Sequence, residues 1–157
     1  LYPALQAYFD KLGETTMPID PSRQSAIGEL VEWIQGKLND GSPSPIIVVC
    51  TGNSRRSIMG SVLGNAAALY RGLPNVQFFS GGTEPTAINP RTIRVLQEVG
   101  VRFTKTGRHG AAGAAGELNP IYGVQWSDDA EFCTDFSKHF ADPINPHDGF
   151  AAVMVCD

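Results

Sequence analysis

Apolar positions along this chain switch between a helical period and short extended runs, and the switches divide it into elements. After Asp20-Pro21, apolar residues recur at Ala26/Ile27, Leu30/Val31 and Ile34 and continue to Leu38, which is the spacing of one helix face. Asp20 supplies a cap for the free N–H groups, and Pro21 has its φ preset for the first turn. Asn39-Asp40-Gly41-Ser42-Pro43 stops this helix, and a shorter one is expected before it, around Ala4 to Leu12. Ile46 to Val49 is a short β-branched run suited to a strand buried on both faces. From Arg56 to Arg71 the period is helical again, with Ile58/Met59, Val62/Leu63, Ala66/Ala67 and Tyr70 facing inward and Gly72 as terminator.

The pattern then repeats. Val76 to Phe79 reads as a strand, Ser80 to Thr83 as a turn, and Asn89-Pro90 opens a helix with Ile93, Leu96 and Val99 inward, closed by Gly100. The glycine- and alanine-rich stretch from Thr106 to Gly116 predicts a flexible loop. Asn119 to Trp126 and Phe132 to Phe140 predict an antiparallel pair added to the main sheet, and Ala151 to Val155 a third parallel core strand. Strands alternating with helices imply an α/β fold with a parallel sheet and helices on both faces. Residues 1–44 are expected to form a helical extension and residues 45–157 the α/β domain. Ligands of such sheets bind beyond the carboxyl ends of the strands, and the segment from Cys50 to Arg56 occupies that place.

Composition narrows the classes. A length of 157 residues fits one domain, and 42% hydrophobic with 18% charged residues is a globular mixture. A net charge of −4 gives no general pull toward nucleic acid or an anionic membrane, so any anion site must be local. No apolar run has the length of a membrane span. Three cysteines, Cys50, Cys133 and Cys156, are too few for a disulfide framework and point to a reducing cytoplasm. The three histidines are scattered and no metal-ligand spacing occurs, so no metal or cofactor is expected.

The chemistry concentrates in "CTGNSRRS", Cys50 to Ser57. A strand feeding a tight loop and then a helix aims free backbone N–H groups into one concavity, where the helix dipole adds positive potential. Those donors also stabilise a thiolate at the floor, which makes Cys50 a nucleophile at neutral pH. Arg56 can hold two oxygens of a tetrahedral anion in its fork. Gly52 lets the backbone approach the anion, Asn53 tolerates the left-handed conformation and ties the loop, and Ser57 can donate to the thiolate. Thr51, Gly52, Asn53, Ser54 and Arg55 are thus candidate substrate-binding positions. A nucleotide P-loop would need a lysine that is missing here. The plainer alternative is a small buried thiol that closes a strand. It leaves the joint placement of the glycine, arginine and serine without a reason.

This motif resembles the C-x5-R-S signature of the low-molecular-weight protein tyrosine phosphatases and the related thioredoxin-coupled arsenate reductases. The likeness runs on through Phe79-Ser80-Gly81-Gly82-Thr83-Glu84 and Asn89-Pro90 to Val99-Gly100, and includes the strand that ends at Cys156. It implies a flavodoxin-like, three-layer fold and a phosphocysteine mechanism. Cys50 would attack phosphorus, Arg56 and the loop amides would hold the equatorial oxygens, and an aspartic acid would protonate the leaving group. The implied substrates are a phosphotyrosine-containing protein or a small aryl phosphate, with phosphate or another oxyanion in the loop.

The chain also departs from the family pattern. The acid is expected in an Asp-Pro pair after the third strand, together with a fourth strand and a last helix, and the expectation is that all of these lie beyond Asp157. Asp142-Pro143 precedes the third strand and is expected to be a solvated turn. Arg55 stands where many relatives carry a second cysteine. Cys156 holds the place of the resolving thiol in the reductases, for which thioredoxin would be the partner. Cys133 is expected to have no catalytic role.

Overall fold

The computed structural model describes residues 1–15, 18–113, 115–129 and 133–156. In chain order its elements are α1 (Pro3–Glu14), α2 (Pro21–Asn39), β1 (Ser44–Cys50), α3 (Arg56–Tyr70), β2 (Val76–Gly82), α4 (Pro90–Glu98), β3 (Arg102–His109), β4 (Pro120–Gln125), β5 (Cys133–Asp135) and β6 (Ala151–Met154). β1 is the apolar run of the sequence, and Ile46 to Cys50 are all buried because this strand is central, with β2 and β6 parallel on either side. Ile46 to Val49 align with Ala151 to Met154 across one edge, and Ser44 to Cys50 with Val76 to Gly82 across the other. The result is an α/β fold with a parallel sheet flanked by helices, consistent with the flavodoxin-like class.

Helix α3 packs closely against this sheet because two of its residues lack a side chain. A Cβ on Gly64 would sit 2.5 Å from the Phe78 ring of β2, and one on Gly60 would sit 2.9 Å from Val48 of β1. Its other buried stripe, Ile58, Val62 and Ala66, joins Leu5 of α1, Leu96 of α4, Val101, and Val124 and Trp126 of the second sheet in one core. Full burial of an aliphatic chain such as Leu5 contributes about 1.5–3 kcal/mol, and this contribution ties α1 to the α3–α4 layer. The Tyr2 N–H also donates to the Trp126 carbonyl at 2.8 Å. Along α2, Leu30, Trp33, Ile34 and Leu38 pack on Ile46 and Val153, whereas Ile27 and Val31 remain more than 40% exposed.

Three expectations are corrected. The turn at Ser80 to Thr83 is instead strand as far as Gly82, since parallel pairing with Val48 to Cys50 continues to the end of β1. The loop expected from Thr106 to Gly116 is strand β3 in its first part. Its partner β4 supplies the hydrogen bonds that its own composition does not advertise. The ladder shifts register between Lys105 and His109, where Gly107 takes φ +77°, the mark of a bulge. Finally, β3, β4 and β5 form a separate antiparallel sheet in the order β3-β4-β5 rather than an extension of the main one. A parallel bridge between Gly82 and His139 joins the segment after β5 to the end of β2. Of the strand expected over Phe132 to Phe140, Phe132 lies outside the described residues.

Candidate active site

β1 ends at Cys50 and α3 begins at Arg56, so the five residues between them must turn the chain within one loop. That turn needs a left-handed residue, and Asn53 provides it at φ +42° with its side chain fully buried. The Asn53 amide is held at both ends: Oδ1 accepts from the Lys138 N–H at 2.8 Å, and Nδ2 donates to Ser57 Oγ at 2.8 Å. Ser57 Oγ in turn lies 3.0 Å from Cys50 Sγ. Ser57 is buried in the first turn of α3, where its N–H is one of the helix's unpaired donors.

These contacts set the chemistry of the thiol. Burial alone would push Cys50 up, but the Ser57 hydroxyl and the backbone N–H groups of Ser57, Ser54 and Asn53 donate to the sulfur. The donors win, and the thiol is held below its ordinary range. The site therefore combines a buried sulfur, held below its ordinary range, with the polar groups of its own loop.

The rest of the loop is fastened from outside. The carbonyls of Cys50, Thr51 and Gly52 accept from Thr83, Glu84 and Thr86 N–H groups, and Gly52 also accepts from Ser137 Oγ at 2.9 Å. The Ser54 carbonyl accepts from Asn89 N–H at 3.0 Å and Thr92 Oγ1 at 3.3 Å. The Ser54 hydroxyl donates to Ala87 O. With its carbonyls turned outward to these partners, the loop keeps the Asn53 and Ser54 N–H groups on the side of the Cys50 sulfur. Gly82 is what allows β2 to come so close: a Cβ there would meet the Thr51 carbonyl and lie 2.7 Å from Asn53 N.

The structure thus joins Cys50, Asn53 and Ser57 in one hydrogen-bonded set. Thr51 is exposed, with Gly52 and Ser54 half-buried beside it. Arg55 and Arg56 are both exposed at the start of α3. Arg56 lines a groove of about 1020 Å³ with Arg23 and Trp33 of α2 and with the end of β6. Cys156 lines the same groove, its sulfur accepting from the Thr51 N–H at 3.3 Å. Cys133 is exposed on β5, an element that supplies none of these three residues. Asp142 accepts from the Ile144 N–H through its carboxylate and from Asn145 N–H through its carbonyl, so Asp142-Pro143 is a turn as expected. Among the described residues, no cluster of histidine, cysteine and carboxylate side chains is arranged to hold a metal ion, and no helix is long and apolar enough to cross a membrane.

The supports contributed by Ser80, Asp135, Ser137 and Lys138 escape a reading of the sequence. Lys138 Nζ is buried and bonds Asp135 Oδ1 at 2.8 Å and Ser80 Oγ at 3.1 Å. The only local sign of this arrangement is an Asp and a Lys three positions apart.

Residues 45–113 match the family model for low molecular weight phosphotyrosine protein phosphatase. No curated protein matches the chain. The matched span holds β1, the Cys50 loop, α3, β2, α4 and β3, whereas Asp135, Lys138 and Cys156 lie outside it.

Proposed function

We propose that this chain, whose residues 45–113 match the low molecular weight phosphotyrosine protein phosphatase family model, hydrolyses aryl phosphate monoesters through a phosphocysteine at Cys50. The family supports a cysteine-based phosphatase in general, and phosphotyrosine is its natural substrate class. The observation that carries the reading is the Cys50 sulfur 3.0 Å from Ser57 Oγ, where the effect of burial is outweighed by that hydroxyl and by the backbone N–H groups of Ser57, Ser54 and Asn53. The thiolate attacks phosphorus, the S–P bond forms, and the P–O bond to the aryl group breaks with its electron pair going to the leaving oxygen, which takes its proton from solvent. The loop amides and the Arg56 guanidinium hold the three equatorial oxygens, whose charge is greatest in the transition state. Water then attacks the phosphorus of the phosphocysteine and gives up a proton to solvent, and the S–P bond breaks with its electron pair returning to sulfur, which releases phosphate and regenerates the thiolate. Arg55 adds positive potential at the mouth. Three cysteines, too few for a disulfide framework, fit a reducing compartment, the cytoplasm.

Incubation with p-nitrophenyl phosphate and with a phosphotyrosine peptide tests this reading. Acid quenching should trap one phosphoryl group on Cys50, and Cys50→Ser should abolish release of phosphate. Turnover that survives Cys50→Ser would refute the reading.

One contact favours a second reading. The bond from Thr51 N–H to Cys156 Sγ at 3.3 Å brings another sulfur to the back of the same loop. In a thioredoxin-coupled arsenate reductase, Cys50 would displace an oxygen of arsenate as water and hold the arsenic through its sulfur. Cys156 would attack that sulfur, and the S–As bond would break with its electron pair going to arsenic. Arsenite would leave as the Cys50–Cys156 disulfide forms, and thioredoxin would reduce that disulfide. Such a bond needs Cα atoms roughly 4.4–6.8 Å apart. Arsenate-dependent oxidation of reduced thioredoxin distinguishes this reading from the first.

A further inference from the structure

We propose that Asp135 and Lys138, both outside the family-matched residues, are positioning residues for Cys50: their buried ion pair anchors the backbone N–H that orients the Asn53 amide, and through it the Ser57 hydroxyl, toward the sulfur. The proposal rests on the reading of Cys50 as a nucleophile and adds the device that presents it.

The relay has a fixed polarity. A backbone N–H can only donate, so Lys138 N–H at 2.8 Å requires Asn53 to present Oδ1 to it. The other end of the amide is then NH2, aimed at Ser57 Oγ at 2.8 Å. With that donation received on a lone pair, the Ser57 hydroxyl proton is free for Cys50 Sγ at 3.0 Å, and an ionised sulfur can only accept it. If Asn53 were turned over, its carbonyl oxygen would compete for that proton.

Everything therefore depends on where the Lys138 N–H points. Its own side chain is one anchor, with Nζ bonded to Asp135 Oδ1, Ser80 Oγ and the Phe136 carbonyl. The side chains of Lys138 and Asp135 are only 5% and 13% exposed, so water does not substitute for a lost partner. The Lys138 carbonyl is also fixed, accepting from the Gly82 N–H at 3.0 Å. Ser137, its neighbour, exchanges bonds with Asn119 in both directions. The segment after β5 is thus bolted between β2 and β4, and the loop takes its orientation from it. Elsewhere around the thiol, the charged or titratable side chains on packed elements include, among the described residues, Cys156 beside Thr51, Arg55 and Arg56 at the start of α3, Glu84 beyond β2, and His139, bridged to Gly82. The substitutions below leave all of them in place.

The test is the pH dependence of iodoacetamide alkylation at Cys50, read by peptide mass so that Cys133 and Cys156 are counted separately. Wild type, Asp135→Asn, Asn53→Ala and the double variant are compared, with circular dichroism to establish that each is folded. Each single change should raise the midpoint by about one pH unit, slowing alkylation about tenfold below the wild-type midpoint. The double variant should move no further than Asn53→Ala alone, because both changes cut the same relay. Ser80→Ala keeps both charges and removes one bond from each. It should shift the midpoint less, in the same direction, and it carries the test if Asp135→Asn does not fold. A folded Asp135→Asn or Ser80→Ala protein with the wild-type midpoint overturns the proposal, as do single shifts that add in the double variant. A wild-type midpoint in the ordinary thiol range would overturn the nucleophile as well, so the two failures are distinguishable.

Discussion

The backbone N–H of Thr51 donates to the sulfur of Cys156 across 3.3 Å, and the Thr51 hydroxyl reaches the same atom at 3.6 Å. A sulfur that accepts two bonds from the back of the loop supports that loop whether or not it ever reacts. Replacing it with oxygen keeps an acceptor in place. Cys156→Ser should therefore leave p-nitrophenyl phosphate hydrolysis within about fivefold of wild type, the scale of one altered hydrogen bond. Thioredoxin oxidation that requires arsenate and disappears in Cys156→Ser would instead establish the reductase.

The lowered pKa of Cys50 gives a prediction whose sign is fixed. The donors from Ser57, Ser54 and Asn53 outweigh the effect of burial, so the thiolate persists at pH values where an ordinary thiol is protonated. Iodoacetate should modify Cys50 below the usual thiol range, phosphate should protect it, and Cys133 should react slowly there. The same shift links to stability. The folded-state value is depressed, so the contribution is complete above the unfolded thiol's pKa and is lost as pH falls through the folded one. The stability gap between wild type and Cys50→Ala should accordingly shift in favour of wild type as pH rises across that window, measured by urea unfolding at a series of pH values. A gap that does not change with pH would contradict this.

Arg55 and Arg56 offer a test of geometry against charge. Both are exposed at the start of α3, but only Arg56 lines the groove that leads to Cys156 and α2. Arg56→Lys keeps the cation and loses the fork, so hydrolysis should fall about 10²-fold or more. Arg55→Lys should change it far less, and the difference should shrink further at high salt. If Arg55→Lys proved the more damaging substitution, the anion ligand would have to be reassigned.

Some of these relationships can be read from the residues alone, for physical reasons. Ile46 to Val49 announce β1 because a strand covered on both faces has to be apolar throughout, and Asp20-Pro21 and Asn89-Pro90 announce α2 and α4 because their caps are local chemistry. Both caps form, Asp20 accepting from Ser22 N–H and Asn89 from Arg91 N–H. β3 carries no such signal. Arg102 to His109 are mostly exposed, and the strand owes its existence to hydrogen bonds with a partner some fifteen residues on, as where Thr106 Oγ1 bonds the Ile121 carbonyl at 2.8 Å. Cys50, Asn53 and Ser57 are legible because one loop contains them. Lys138 reaches Asn53 across 85 positions, and no local pattern encodes that.

Two glycines separate the stability of the fold from the assembly of the site. On Gly64 a Cβ would lie 2.5 Å from the Phe78 ring, pushing α3 off β2 at a distance from the loop. On Gly82 it would lie 2.7 Å from Asn53 N and meet the Thr51 carbonyl, which are backbone atoms of the loop itself. Overpacking of this kind costs about 1–3 kcal/mol, so Gly64→Ala and Gly82→Ala should both lower the melting temperature. Only Gly82→Ala should also move the Asn53 amide, raise the pH midpoint of Cys50 alkylation and abolish the rise in melting temperature that phosphate produces. Gly64→Ala should keep the wild-type midpoint and the phosphate response at its lower baseline. Were both variants to lose the phosphate response equally, the loop would depend on the seating of α3 as a whole, and the close approach of β2 at Gly82 would have no separate role.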